Sequence, residues 1–236
     1  MSEHAHPRRR GRQAEAERND RAVLEAAREV FATRGADAPI SAVAERAGVG
    51  MGSLYRRYGS KTELLQHLCV LAMEQTIEAA EAALAAEDAW NGLADYIRTC
   101  VAFGSGALAP LAGTIQTTPR MWEISRRGRK LLEELVARAH RDGALRPDVT
   151  TLDVAWLIEL FGRYGLTRPG AEEDNVRQRL LTIALDGLRA RQTGVLPGTP
   201  PSQRHYEARW KKPASRRDQP PPPAGPGAAP GPPPAG

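Results

Sequence analysis

The sequence predicts an all-α protein in which a small N-terminal helix-turn-helix unit precedes a larger helical block, and three observations carry that reading. Apolar residues recur at helical spacing along most of the chain, and no run alternates apolar and polar residues between turn residues, as a half-buried strand would. Glycine and proline cut the pattern into pieces of helical length. With 236 residues and 41% hydrophobic content, the chain can bury the core of one or two domains.

Helical periodicity begins at Asn19, a good N-cap, and runs through Val23, Leu24, Ala27, Val30 and Phe31 until Gly35 stops it. Residues 1–18, with PRRRGR at 7–12, read as a disordered basic arm, whose other possible use is to follow phosphates or enter a minor groove. Pro39 suits the first position of a second helix, and Ile40, Val43, Ala44 and Ala47 give it an inner face ending at Gly48. The small Ala44 and Ala47 let another helix come close. Ser53, Leu54, Tyr55 and Tyr58 then restore the spacing, and a short glycine turn between two short helices is the helix-turn-helix signature. Gly59 breaks the pattern, and Ser60-Lys61-Thr62-Glu63 forms a capping box that opens a long fourth helix, to about Ala86.

Further helices are expected at roughly 88–103, 107–117, 120–141, 151–164 and 172–191. The last two are the most apolar, with Leu152, Trp156, Leu157, Leu160 and Phe161 on one and Val176, Leu180, Leu181, Ile183, Ala184, Leu185 and Leu188 on the other. They either complete the core of one subunit or leave a stripe suited to a four-helix bundle with a second subunit. From Thr193 the composition shifts, with 13 of the 19 prolines in residues 193–236, which predicts a disordered, partly polyproline tail. The expected organisation is therefore an arm (1–18), a helix-turn-helix domain (19–68), a helical domain (69–192) and a Pro-rich tail (193–236).

The formal charge of +5 divides unevenly: +3 over residues 1–68, −2 over 69–192 and +4 over 193–236. The front part is thus the part suited to a polyanion. Cys69 and Cys100 both fall in apolar helical patterns, where cysteine acts as a small hydrophobe. No apolar run approaches the ~20 residues of a membrane span, and the basic start leads into a charged segment instead of a signal-peptide core, so no membrane association and a cytoplasmic location are expected.

Residues 48–61, GVGMGSLYRRYGSK, carry the chemistry. A helix that reads DNA must reach the major-groove floor, aim polar groups at bases and place donors along the rim for phosphates. Gly50, Met51 and Gly52 keep the helix start small or flexible, so backbone N–H groups can face phosphate. Ser53 can donate or accept, Tyr55 can bond a phosphate or pack on a thymine methyl, and Arg56 and Arg57 can reach guanine or phosphate. Lys61 stands in the first turn of the next helix, where the dipole disfavours a cation and a phosphate partner would explain it. Tyr58, beside Gly59, is expected in the core. The run is not a dinucleotide fingerprint: the third glycine of G-x-G-x-x-G would fall at Ser53, and a helix precedes it, not a strand.

The segment from about Asn19 to Leu68, with DAPISAVAERAGVGMGSLYRRYGSKTELL at its heart, resembles the DNA-binding domain of the TetR family of transcriptional regulators. By that resemblance Met51, Gly52, Ser53, Tyr55, Arg56, Arg57 and Lys61 fall where family members contact DNA. The sequence departs from the family at Pro39-Ile40-Ser41, where only Ser41 is a candidate contact. The resemblance implies double-stranded palindromic operator DNA as partner, a homodimer built on the last two helices, and a small-molecule effector bound among the middle ones. Ligand binding would then move the two DNA-reading domains out of register, and repression released by a hydrophobic or amphipathic effector is the expected mode. Tyr96, Cys100, Phe103, Met121, Trp122 and Trp156 are candidate pocket residues, and Gly104-Ser105-Gly106 to Pro110-Leu111 is a flexible portal or a kinked connection. The alternative is an all-helical DNA-binding scaffold or partner-binding protein without a small-molecule inducer. The five histidines are scattered without H-E-x-x-H spacing and no G-x-S-x-G frame occurs, so no catalytic residue, metal or cofactor is expected.

Overall fold

The computed structural model describes residues 6–35, 37–167, 170–190 and 194–211. Helix α1 spans His6–Arg34, α2 Ile40–Ala47, α3 Met51–Tyr58, α4 Lys61–Leu84 and α5 Ala89–Ala102. A 3-10 turn at Ala109–Leu111 precedes α6 (Pro119–Arg141), α7 (Thr151–Thr167), α8 (Ala171–Leu188) and a short α9 (Gln203–Ala208). Among the described residues no strand forms, and extended pairing is limited to a bridge between Leu145 and Arg189.

Local chemistry sets most of these boundaries. Gly48 ends α2 in the left-handed region at φ 67°, and the Val49 amide reaches back to the Ala44 carbonyl at 3.0 Å, a Schellman-type closure. Ser60 caps α4 by accepting from the Glu63 amide at 3.1 Å. Asp88 and Thr118 cap α5 and α6 in the same way, accepting from the amides of Asn91 and Met121.

Two apolar cores result. The first gathers Val23, Leu24, Ala27 and Phe31 of α1, Ile40 and Val43 of α2, Leu54 and Tyr58 of α3, and Leu64, Leu65 and Leu68 of α4. Leu108, Leu111, Ile115 and Met121, from far along the chain, complete it. The second joins the end of α4 to α5, α6, α7 and α8, with Leu93, Ile97, Leu135, Val154, Leu181 and Leu185 among its buried members. Burying each such leucine contributes about 1.5–3 kcal/mol.

Three expectations need correction. The first helix starts at His6, ahead of Asn19, so residues 6–18 of the expected arm are helical. Gln, Ala, Glu and Arg between 12 and 18 are strong helix formers, and Pro7 sits at the helix start, where proline is tolerated. Residues 1–5 lie outside the described residues.

The helix expected at 107–117 is a chain of turns around Ala109–Leu111. Gly104, Gly106 and Gly113 take φ values of 70°, 88° and 77°, which a right-handed helix does not use. The segment is also seated tightly on α7. A Cβ on Gly106 would meet the Glu159 Cα at 2.7 Å, and one on Gly162 would lie 2.0 Å from the Ser105 carbonyl oxygen. It is a kinked connection packed backbone to backbone.

The tail does not begin as a disordered segment. Residues 194–211 fold back as a strap: Arg146 donates to the Gly194 carbonyl at 2.8 Å, and the Leu196 amide donates to Asp148 at 2.8 Å. The Arg146 guanidinium, with help from that amide, holds the Asp148 carboxyl down at about 2. Ser202 caps α9, accepting from the His205 amide at 3.2 Å. Residues 212–236 of the expected tail lie outside the described residues.

Candidate nucleic-acid interface and internal cavity

The recognition face is built by what its own turn leaves uncovered. Helix α3 buries Leu54 and Tyr58 four residues apart, which turns Ser53, Tyr55, Arg56 and Arg57 outward. Tyr55 is 45% exposed, unusual for a large aromatic with no outward partner. No side chain caps the start of α3, so its first amides stay open between the exposed Gly50 and Gly52. Ser41 and Lys61 are also exposed, whereas Met51 is half-buried and packs against the first core. Arg56 and Lys61 hold no side-chain partner among the described residues.

Arg57 differs. Its Nη2 donates to Asp20 of α1, and the Tyr58 hydroxyl donates to the other oxygen of the same carboxylate. His67 of α4 stands 3.8 Å from Asp20 and its ring lies 5.1 Å from that of Tyr58. Burial, and then the Asp20 contact, push the Tyr58 phenol well above its usual value, so it remains a donor. Asp20 thus pins the end of the recognition helix to α1, and Arg57 can meet a phosphate only by sharing that carboxylate or leaving it. The signal for Asp20 was present, since it lies in register with the stripe Leu24, Ala27 and Phe31.

Lys61→Ala is expected to weaken all DNA sequences alike and to lower the slope of log affinity against log salt by about one for each protomer. Anisotropy titrations across a salt series check it, and a loss confined to one sequence would contradict it.

A cavity of about 240 Å³ lies between α4, α6, α7 and the strap. Of the six residues expected to line it, Tyr96, Met121 and Trp122 do so. Cys100, Phe103 and Trp156 stand outside: Cys100 is buried against Tyr96, Phe103 lies under the Arg28 guanidinium at 5.2 Å, and Trp156 lies under Arg209 at 4.3 Å. Burial pushes the thiols of Cys69 and Cys100 up to about 12, which keeps both neutral and poorly nucleophilic.

Sequence reasoning missed the polar wall. Thr76, Ser125, Arg129 and Glu159 face the cavity, as do Gln203, Tyr206, Glu207 and Trp210 from the strap. Glu159 is buried and receives both Arg209 nitrogens, at 3.0 and 2.5 Å, a fork that ties the strap to α7. The spacing of Tyr206 and Trp210 behind the Ser202 cap was the available signal, masked by the surrounding prolines.

Arg28 of α1 is the other missed residue. It is buried, donates to Gln75 of α4 at 2.7 Å, and loses proton affinity to burial, down to about 10, while staying charged at neutral pH. It lies where α1 meets α4 and the end of α5, between the two cores.

Residues 23–68 match the sequence profile of the tetR family of bacterial regulatory proteins, and residues 87–190 match that of the C-terminal domain of SbtR-like transcriptional regulators. Among solved structures, a TetR transcription regulatory protein from Mycobacterium vanbaalenii is 29% identical, with a TM-score of 0.51 over 75% of this chain and 98% of that one. A TetR transcriptional regulator from Streptomyces coelicolor is 23% identical, with a TM-score of 0.53 over 72% and 98%. The ketosteroid transcriptional regulator KstR2 of Mycobacterium tuberculosis is 23% identical, with a TM-score of 0.52 over 72% and 94%. No curated protein gives a significant match.

Proposed function

Because this chain belongs to the TetR family of DNA-binding transcription regulators, we propose that it binds a palindromic operator as a homodimer and represses until a small hydrophobic or amphipathic effector fills the cavity. The observation that carries this reading is the physical continuity between the cavity wall and the recognition helix. Only Gly59 and Ser60 separate α3 from α4, and Cys69, Ala72, Met73 and Thr76 on the following turns of α4 line the cavity. Leu108 lines the cavity as well and belongs to the core on which α1 and α3 rest. A ligand that displaces either element tilts the DNA-reading unit, and operator affinity falls by the ligand's differential affinity for the two arrangements.

Leu160 on α7 and Val176, Leu180 and Ile183 on α8 support the dimer, being large apolar side chains left exposed on the last two long helices. Such a face suits an isologous four-helix interface that places two recognition helices about 34–36 Å apart. Ile183→Glu is expected to shift the protein from dimer to monomer at micromolar concentration and to remove its preference for a palindrome over a half-site. Sedimentation read beside half-site titration checks this, and an unchanged dimer would remove these helices from the interface.

Selection of random duplexes by the purified protein gives the operator. Titrating that complex with apolar and amphipathic compounds then tests the regulatory reading, which fails if no compound bound in the cavity alters DNA affinity.

A further inference from the structure

One guanidinium in the cavity wall has its hydrogen bonding left open. Arg129 of α6 has a side chain about two-thirds buried, and its Nε is sealed from solvent with no hydrogen-bond acceptor among the described residues. The nearest carboxylates, Glu133 on the same helix and Glu207 on the strap, stand 3.7 and 3.8 Å away, outside hydrogen-bonding range. Glu207 is engaged elsewhere, accepting from Gln203 at 2.7 Å. Of the two carboxylates in the wall, Glu159 is closed, with both oxygens on Arg209, and Glu207 has one oxygen on Gln203. A buried guanidinium N–H without an acceptor is costly, and a carboxylate is the planar, two-oxygen partner that matches its fork.

The rest of the wall fixes the other half of the ligand. Ala72, Met73, Met121, Leu132 and Ile158 are apolar, and a cavity of about 240 Å³ has room for a hydrocarbon chain of several carbons. We infer that the cavity takes an amphipathic monocarboxylate with such an apolar body, its carboxylate seated on Arg129 in place of Glu207. This names the ligand class for the effector cavity and rests on that reading of it. The seated carboxylate repels Glu207 and displaces it from Arg129, leaving α9 held by the Glu159–Arg209 fork and by His205 and Tyr206 against Trp156.

Octanoate and 1-octanol, equal in carbon number, separate head-group recognition from apolar filling, and Trp122 and Trp210 in the wall report both by fluorescence. Octanoate is expected to saturate the full-length protein and to bind more tightly than octanol. Arg129→Gln should weaken octanoate by about tenfold or more while octanol binding holds, which also shows that the variant folds. Arg129→Lys should fall between, and Glu207→Gln should tighten octanoate several-fold. Equal binding of the two probes, equal weakening of both by Arg129→Gln, or no saturation by octanoate would each overturn the assignment. Operator release, measured separately, keeps the two readings apart. Arg129-dependent octanoate binding without DNA release sustains the carboxylate site and removes the regulatory reading, whereas release by octanol with no carboxylate preference does the reverse.

Discussion

Gly162→Ala is expected to destabilise the protein by about 1–3 kcal/mol, lowering its melting temperature by about 2–4 °C for each kcal/mol. The added methyl group would sit 2.0 Å from the Ser105 carbonyl oxygen, 3.0 Å from its carbon and 3.2 Å from its nitrogen. All three are backbone atoms, so no side chain can swing aside, and either α7 or the 104–106 turn must shift. Helix propensity pulls the other way, since alanine in a helix interior is favoured over glycine by about 1 kcal/mol. A fall in melting temperature therefore means that the clash outweighs a real gain. Gly128→Ala in α6 is the matched control, because its new Cβ would stand 3.6 Å from Ile77 Cγ1, an ordinary contact. Scanning calorimetry of the two variants beside the parent should give opposite signs. A Gly162→Ala protein as stable as the parent would mean that the turn yields easily, and the tight seating described above would be wrong.

Arg56→Ala is expected to cost about 1–3 kcal/mol per protomer if the side chain reads a base, and about twice that for a dimer on a palindrome, since distant sites add. That is from roughly thirtyfold to beyond ten-thousandfold in operator affinity. The preference at one symmetric pair of positions should relax, while affinity for unrelated duplexes changes little. Arg56 is the arginine to test because it projects from α3 without a partner among the described residues, whereas Arg57 is paired with Asp20 and its removal also alters how α3 is held. Anisotropy with the selected operator and with a scrambled duplex checks the expectation. Equal losses on both would make Arg56 a phosphate contact.

The recognition unit was legible because its determinants are local. Gly48 needs the left-handed turn, Ser60 needs the Glu63 amide, and the four-residue spacing of Leu54 and Tyr58 decides which side chains of α3 face out. All of these act within a few residues of each other. The misses are non-local or came from weighting one signal over another. The Asp20–Tyr58 bond spans 38 positions and the Glu159–Arg209 fork spans 50, and nothing in either neighbourhood announces the partner. At 107–117 the apolar count favoured a helix, but the glycines, free to take positive φ, favoured turns and prevailed. In the strap, proline content suggested a chain with too little apolar surface to order, yet the Glu159–Arg209 fork, the rings of His205 and Tyr206 against Trp156, and the bonds to Arg146 and Asp148 hold it.

The first core has a consequence for cutting and recombining this protein. Leu108, Leu111, Ile115 and Met121 are buried with α1 to α4, although they lie 40 or more positions beyond Leu68. A fragment ending at Leu68 would carry the whole DNA-reading surface but leave the apolar floor beneath it open to water. Transplanting that surface onto another regulator is therefore a problem of matching a floor as well as joining a helix. A chimera that brings residues 104–121 with the head should hold its fold where a cut at the apparent domain boundary does not.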